Sequence, residues 1–190
     1  MKKEEKKITR GTFMKTAIAL SAVTGSIPVI ASGTNEEENP ETQDQKNKDI
    51  ILKWLTGFWG PKYDPTVIDT LAAPDMILQY SLHKPRKGHA DIKDFMKKFR
   101  DAFPNLAFDG AYPLLCDGEF VIARWIGGGT HTGTAFSDWP VGSLPANTGR
   151  TMRFTGTTVF RVVDGKVKEE IGLDDGLTAL LQLKLVEAVK

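Results

Sequence analysis

The stretch that decides the fold runs Met152-Arg153-Phe154-Thr155-Gly156-Thr157-Thr158-Val159-Phe160-Arg161-Val162-Val163, then Asp164-Gly165, then Lys166-Val167-Lys168-Glu169-Glu170-Ile171-Gly172-Leu173. Both flanks are rich in β-branched and aromatic residues, and the Asp-Gly pair tolerates the positive φ angles that a two-residue hairpin demands. The pattern predicts two antiparallel strands. A second pair lies upstream, Leu106 to Leu115 and Phe120 to Ile126, joined through Asp117-Gly118. Between the pairs stand Gly127-Gly128-Gly129, expected as a kink or bulge, and a polar loop with Pro140 and Pro145.

Upstream of the strands the period becomes helical. Ile50, Ile51, Trp54, Leu55 and Phe58 recur at helical spacing, and Trp54, Phe58 and Trp59 make an aromatic stripe. Core packing is the first reading of that stripe and pocket lining the second. Asp64-Pro65 opens a short helix with Val67, Ile68 and Leu71 on its apolar side. Residues 75–82 read as a strand that begins after Pro74. A third helix covers 90–103, with Ile92, Phe95, Met96 and Phe99 on one face, and Pro104 stops it. Leu177, Leu180, Leu181 and Leu183 make a short closing helix. The expected fold class is α+β: a bent antiparallel sheet packed around one long helix, with an apolar pocket between them.

Composition narrows the function. The chain has 190 residues, 41% hydrophobic and 26% charged, with a net charge of +1, so no global field draws it to nucleic acid or an anionic membrane. The one cysteine, Cys116, excludes an intramolecular disulfide. With three histidines besides, no metal site is expected. The triple glycine lacks the Lys-Ser/Thr of a phosphate loop, and no Gly-x-Ser-x-Gly occurs, so no cofactor and no serine nucleophile are expected.

Charge divides the chain. Residues 1–33 carry six basic and two acidic side chains ahead of the apolar run Ala17-Ile18-Ala19-Leu20-Ser21-Ala22-Val23. A basic head before a short apolar run is the pattern of an export signal. Thr9-Arg10-Gly11-Thr12-Phe13-Met14-Lys15 resembles a twin-arginine motif whose second arginine is Gly11. Cleavage is expected after Val29-Ile30-Ala31, giving an exported protein with no stable membrane span; an uncleaved anchor is the alternative. The expected organisation is an export signal over 1–31, a disordered acidic linker over 32–49 and one domain over 50–190.

Several segments then carry a resemblance. They are Ala102-Phe103-Pro104-Asn105-Leu106, Val121-Ile122-Ala123-Arg124-Trp125, Gly129-Thr130-His131-Thr132-Gly133, Phe154-Thr155-Gly156-Thr157-Thr158, Glu169-Glu170-Ile171 and Asp174-Asp175-Gly176-Leu177 with Leu181-Gln182-Leu183. Their order and spacing over 50–188 resemble the SnoaL-like polyketide cyclase (ester cyclase) family. That resemblance implies a cystatin-like, cone-shaped α+β barrel of the nuclear transport factor 2 superfamily, and a homodimer. The pattern departs at Ile171, where the family has Trp, and at Lys184, where it has Gly, so the resemblance implies the fold more than the substrate.

Candidate site residues follow. The resemblance implies that Asp175, seven residues before Gln182, is the acid or base. Desolvation at an apolar pocket would raise its pKa toward neutrality. Helix capping is the alternative for Asp175, and Asp174 is a capping residue or its partner. His131 stands where the family has a pocket histidine; local backbone satisfaction is the alternative. Arg124 could stabilise an enolate oxygen or pair across the sheet. Tyr80, His83, Trp54, Phe58 and Trp125 are candidate substrate contacts, although the sequence leaves open which face of the Trp125 strand lines the pocket. The expected activity is cofactor-independent chemistry α to a carbonyl, aldol closure or isomerisation, on a small apolar or carbonyl-containing ligand. The alternatives are a ligand- or protein-binding module and a hydrolase.

Overall fold

The structure, a computed structural model, describes residues 42–111 and 113–189. The expected export signal and residues 32–41 of the expected linker lie outside the described residues. Helix α1 spans Gln43–Trp54, so residues 43–49, read as linker, are helical instead. The polar segment folds because its side chains find partners. Thr42 caps the helix by accepting from the Gln45 N–H, Gln43 donates to Asn47 at 3.0 Å, and Gln45 donates to Asp49 at 2.8 Å. Asn47 is buried and donates to the Gly118 carbonyl at 2.8 Å, which ties the helix to a hairpin.

A π-helical turn, Leu55–Trp59, extends α1. Then come α2 (Thr66–Leu71), α3 (Gly88–Ala102) and, near the C-terminus, α4 (Gly176–Gln182). The strands are β1 (Ala72–Gln79), β2 (Arg86–Lys87), β3 (Ala107–Gly110), β4 (Leu115–Asp117), β5 (Phe120–Thr130), β6 (Thr151–Val163) and β7 (Lys166–Asp174). They form one bent, unclosed sheet in the order β2-β1-β7-β6-β5-β3, with β4 also on β5. The α+β class is as the sequence indicates.

Four details differ from the sequence reading. The β1–β7 pair is parallel, whereas all other pairs are antiparallel. A parallel pair is closed by a long crossover and leaves no turn signal between its strands. Second, β1 begins before Pro74, and its register with β7 shifts between Ala72 and Ile77, an irregularity that accommodates a residue without an N–H. Third, the expected 106–115 strand divides into β3 and β4 around Pro113. Fourth, β5 runs straight through the triple glycine, which is paired to β6 throughout. The glycines serve close approach: a Cβ at Gly127 would lie 2.3 Å from the Ala107 carbonyl oxygen, and one at Gly128 would lie 1.9 Å from that of Met152.

Both hairpins form. Val163 pairs with Lys166, so Asp164 (φ 49°) and Gly165 (φ 72°) make the β6–β7 turn. Asp117 pairs with Phe120, so the β4–β5 turn is Gly118-Glu119, one residue later than the dipeptide suggested. Helix α3 buries Ile92, Phe95, Met96, Phe99 and Ala102 against the sheet. The four larger side chains contribute about 1.5–3 kcal/mol each as an upper estimate. The matching face of β5 is Val121, Ala123 and Trp125, while Phe120, Ile122 and Arg124 face outward. That resolves the open question of the Trp125 strand: its tryptophan side is the inner one. Among the described residues no helix is long and apolar enough to cross a membrane.

Candidate functional site

A partly open pocket with about 40 Å³ of free space lies between α3, the inner sheet face and the β5–β6 connection. On the scale where one water needs ~10–15 Å³, that holds about three waters. Trp59 comes from the π-helical turn, Tyr80 and His83 from the end of β1 and the loop after it, Phe95 and Phe99 from α3. Phe108, Trp125 and Phe154 come from β3, β5 and β6, and Phe136 and Trp139 from the β5–β6 connection. The rings meet edge to face: Trp59–Phe108 at 5.3 Å, Phe108–Trp125 at 5.1 Å and Trp125–Phe154 at 5.5 Å between centroids. Asp109, Asp138 and Asp174 are carboxylates in the wall.

Behind the wall sits Glu170, fully buried on β7. The Trp54 indole N–H donates to its Oε2 at 2.7 Å; Trp59 N–H and Tyr80 O–H both donate to its Oε1 at 2.6 Å. Trp125 donates its indole N–H to Thr158 Oγ1 at 2.9 Å, and Thr158 meets the Tyr80 oxygen at 2.8 Å. An indole only donates and a carboxylate only accepts, so the chain has one direction: Trp125 to Thr158 to Tyr80 to Glu170. Burial pushes the Glu170 pKa up to about 7 against the pull of its three donors. Burial, then the Glu170 charge, pushes the Tyr80 hydroxyl well above its ordinary value.

Asp174, at the end of β7, accepts from Ser81 Oγ, and burial raises its pKa against that bond and the backbone N–H groups of Ser81 and Gly176. His83 Nδ1–H donates to the Lys84 carbonyl at 2.8 Å, because a carbonyl can only accept. That leaves Nε2 as a lone-pair acceptor, buried and without a partner. Burial, chiefly, and nearby Arg86 lower the His83 pKa to about 4, so the ring is neutral at physiological pH. The Trp139 indole N–H is also buried without a partner.

Tyr80, His83, Trp125 and Asp174 of the expected residues are therefore brought together in the cavity wall. The remaining candidates stand elsewhere. Asp175 is exposed and caps α4, accepting from the Thr178 N–H at 3.3 Å. His131 is fully buried, with its Nε2–H on the Thr134 carbonyl at 2.8 Å and its Nδ1 accepting from the Thr148 N–H at 3.3 Å. It pins the β5–β6 connection. Arg124 is on the outer sheet face, and Trp54 and Phe58 are core, stacked at 4.5 Å. Trp59 lines the cavity where Trp54 and Phe58 do not. The sequence pattern assigns Glu170 and Trp139 no role. Glu170 stands in a quoted motif, but the register shift between Arg161 and Val162 breaks the simple alternation that would have marked it as inward.

Solved structures share the fold. A SnoaL-like polyketide cyclase from Jannaschia sp. CCS1 matches with a TM-score of 0.63 at 17% identity, covering 80% of this chain and 99% of that one. AclR from Streptomyces galilaeus, described as a hydroxylase, matches with 0.60 at 21% identity over 77% and 90%. A polyketide cyclase from Acidithiobacillus ferrooxidans matches with 0.57 at 24% identity over 75% and 97%. No curated protein sequence matches this chain. The family profile described as SnoaL-like polyketide cyclase matches residues 49–183, and the chain belongs to that family.

Proposed function

We propose that the domain is a cofactor-independent enzyme that removes a proton α to a carbonyl, with Asp174 as the base. The observation that carries this reading is a partly buried carboxylate in the wall of an aromatic cavity, its pKa raised by that burial. A base useful near neutral pH needs such a shift. The partnerless Trp139 N–H is available to the carbonyl or enolate oxygen, and His83 Nε2 to a hydroxyl of the same ligand. The carbanion then closes onto a second carbonyl or is reprotonated. Asp174 takes the role first assigned to Asp175, and neither His131 nor Arg124 takes part. The test is turnover of a panel of β-ketoesters: Asp174→Asn should lose about two or more orders of magnitude. Asp175→Asn should lose little; the opposite ranking refutes the assignment.

A second reading, a ligand-binding module, is favoured by the rings that fill the cavity and leave about 40 Å³. AclR, described as a hydroxylase, illustrates that this fold does not dictate one reaction. Ligand binding without turnover of any carbon acid would favour that reading. Export remains part of the proposal, checked by intact-mass measurement for a mature N-terminus after Ala31.

A further inference from the structure

The charge around the cavity is of one sign. Its wall holds nine Trp, Tyr or Phe rings and three carboxylates, and among the described residues that line it there is no Lys or Arg. The nearby cation, Arg86, is engaged: it pairs with Asp138 and, at 3.4 Å, with Asp91, and lies 5.1 Å from the Phe95 ring centre. Asp138 is thereby neutralised. The groups acting on Asp174 are Ser81, backbone N–H groups and the like charge of Asp175. Those acting on Glu170 are Tyr80, Trp59 and Trp54. Neither carboxylate has a cation against it.

The rings are also tuned. Trp59 and Tyr80 both line the cavity and both give their hydrogen to Glu170. A ring whose N–H or O–H is donated to a carboxylate gains π-electron density, and hydrogen bonds in a chain polarise one another. Trp125 stands at the start of that chain and in the same wall. Electron-rich Trp and Tyr faces attract cations most strongly when water is excluded.

We propose that this cavity binds a compact alkylated ammonium group, tertiary or quaternary. Trp59, Tyr80 and Trp125 supply the ring faces, Asp174 supplies the opposing charge in the wall, and Glu170 acts through the hydrogen bonds it accepts from Trp59 and Tyr80. An anionic ligand would meet the Asp174 carboxylate, which has no cation against it. A primary ammonium would surrender a tightly held hydration shell that these rings cannot replace. Space for about three waters suits a head of four or five non-hydrogen atoms. For a tertiary ammonium, His83 Nε2 is an unused acceptor for the N–H. The inference shares the cavity of the proposed reaction but does not depend on proton abstraction.

The experiment compares choline with dimethylbutanol, its neutral carbon isostere, by calorimetry and tryptophan fluorescence on the whole chain. Choline should bind at least tenfold more tightly. Tyr80→Phe keeps the ring but removes the hydrogen bond to Glu170, and should weaken choline several-fold while leaving dimethylbutanol unchanged. Asp174→Asn should do the same. Equal affinity for the two probes in the unaltered protein overturns the proposal, whether or not any variant folds. Equal weakening of both probes by Tyr80→Phe overturns it too, because that reports shape alone. Loss of β-ketoester turnover in Asp174→Asn without choline binding would sink this inference and leave the acid–base reading standing; choline binding without any turnover would do the reverse.

Discussion

Gly172 lies directly against Tyr80: a Cβ placed there would come within 2.0 Å of the ring atom Cε1. Gly156 stands in the same relation to Trp125, at 2.1 Å from Cζ2. The two glycines on β7 and β6 make room for two rings of the cavity wall. Neither ring can retreat freely, since both are held in the chain that ends at Glu170. Gly172→Ala should therefore cost about 1–3 kcal/mol in urea unfolding, the usual range for overpacking. Gly110→Ala, where nothing lies within 4 Å of the added Cβ, should cost less. Equal costs would mean that the Tyr80 ring has another place to go.

Glu170 makes stability depend on pH. Its folded pKa, raised from 4.5 to about 7 by burial, means that the folded protein holds this proton more readily than the unfolded chain does. Its contribution is fully present below about pH 4.5 and is lost as pH rises through about 7. The loss corresponds to about 3 kcal/mol. Glu170→Gln removes the titration. The difference in unfolding free energy between the parent and the variant should fall by about that amount over the same window. A flat difference would mean that the three donors, not burial, set the carboxyl's pKa.

Asp175→Ala should cost about 0.5–1 kcal/mol by removing the cap of α4, at the low end of the capping range because its bond to Thr178 is 3.3 Å long. Choline binding should not change. A large loss of binding would place the Asp175 side chain in the cavity after all.

His131→Ala should leave the Thr134 carbonyl and the Thr148 N–H without their buried partner. An unmade buried hydrogen bond costs about 1–3 kcal/mol. The loss should be local. Hydrogen exchange should speed up over 132–149, the segment that carries Phe136 and Trp139 into the cavity wall, while β6 and β7 stay protected. Uniform loss of protection would make His131 a residue of the global core.

The parts of the protein whose causes are local are legible in its residues. Asp164-Gly165 suits only a tight hairpin, Ile92, Phe95, Met96 and Phe99 suit only a helix with one buried side, and the ordered motifs identify the family. Tyr80, His83, Trp125 and Asp174 could be nominated because aromatic and ionisable residues near strand ends are candidates by position. Tertiary structure decided what depends on distant partners. Side chains alternate along a strand, so Glu170, Gly172 and Asp174 share one face of β7, and the strand's end at Asp174 leaves Asp175 to cap the helix. Nothing local distinguishes those two aspartates. His131 became a pin because Thr134 and Thr148 close around it from either side of a loop. Glu170 became the centre of the network because α1, the π-helical turn and the end of β1 bring Trp54, Trp59 and Tyr80 to one buried carboxylate across separations of 116, 111 and 90 residues in the chain. Burial without a cation is a property of that assembly, since only the folded chain excludes the water that would otherwise solvate the charge.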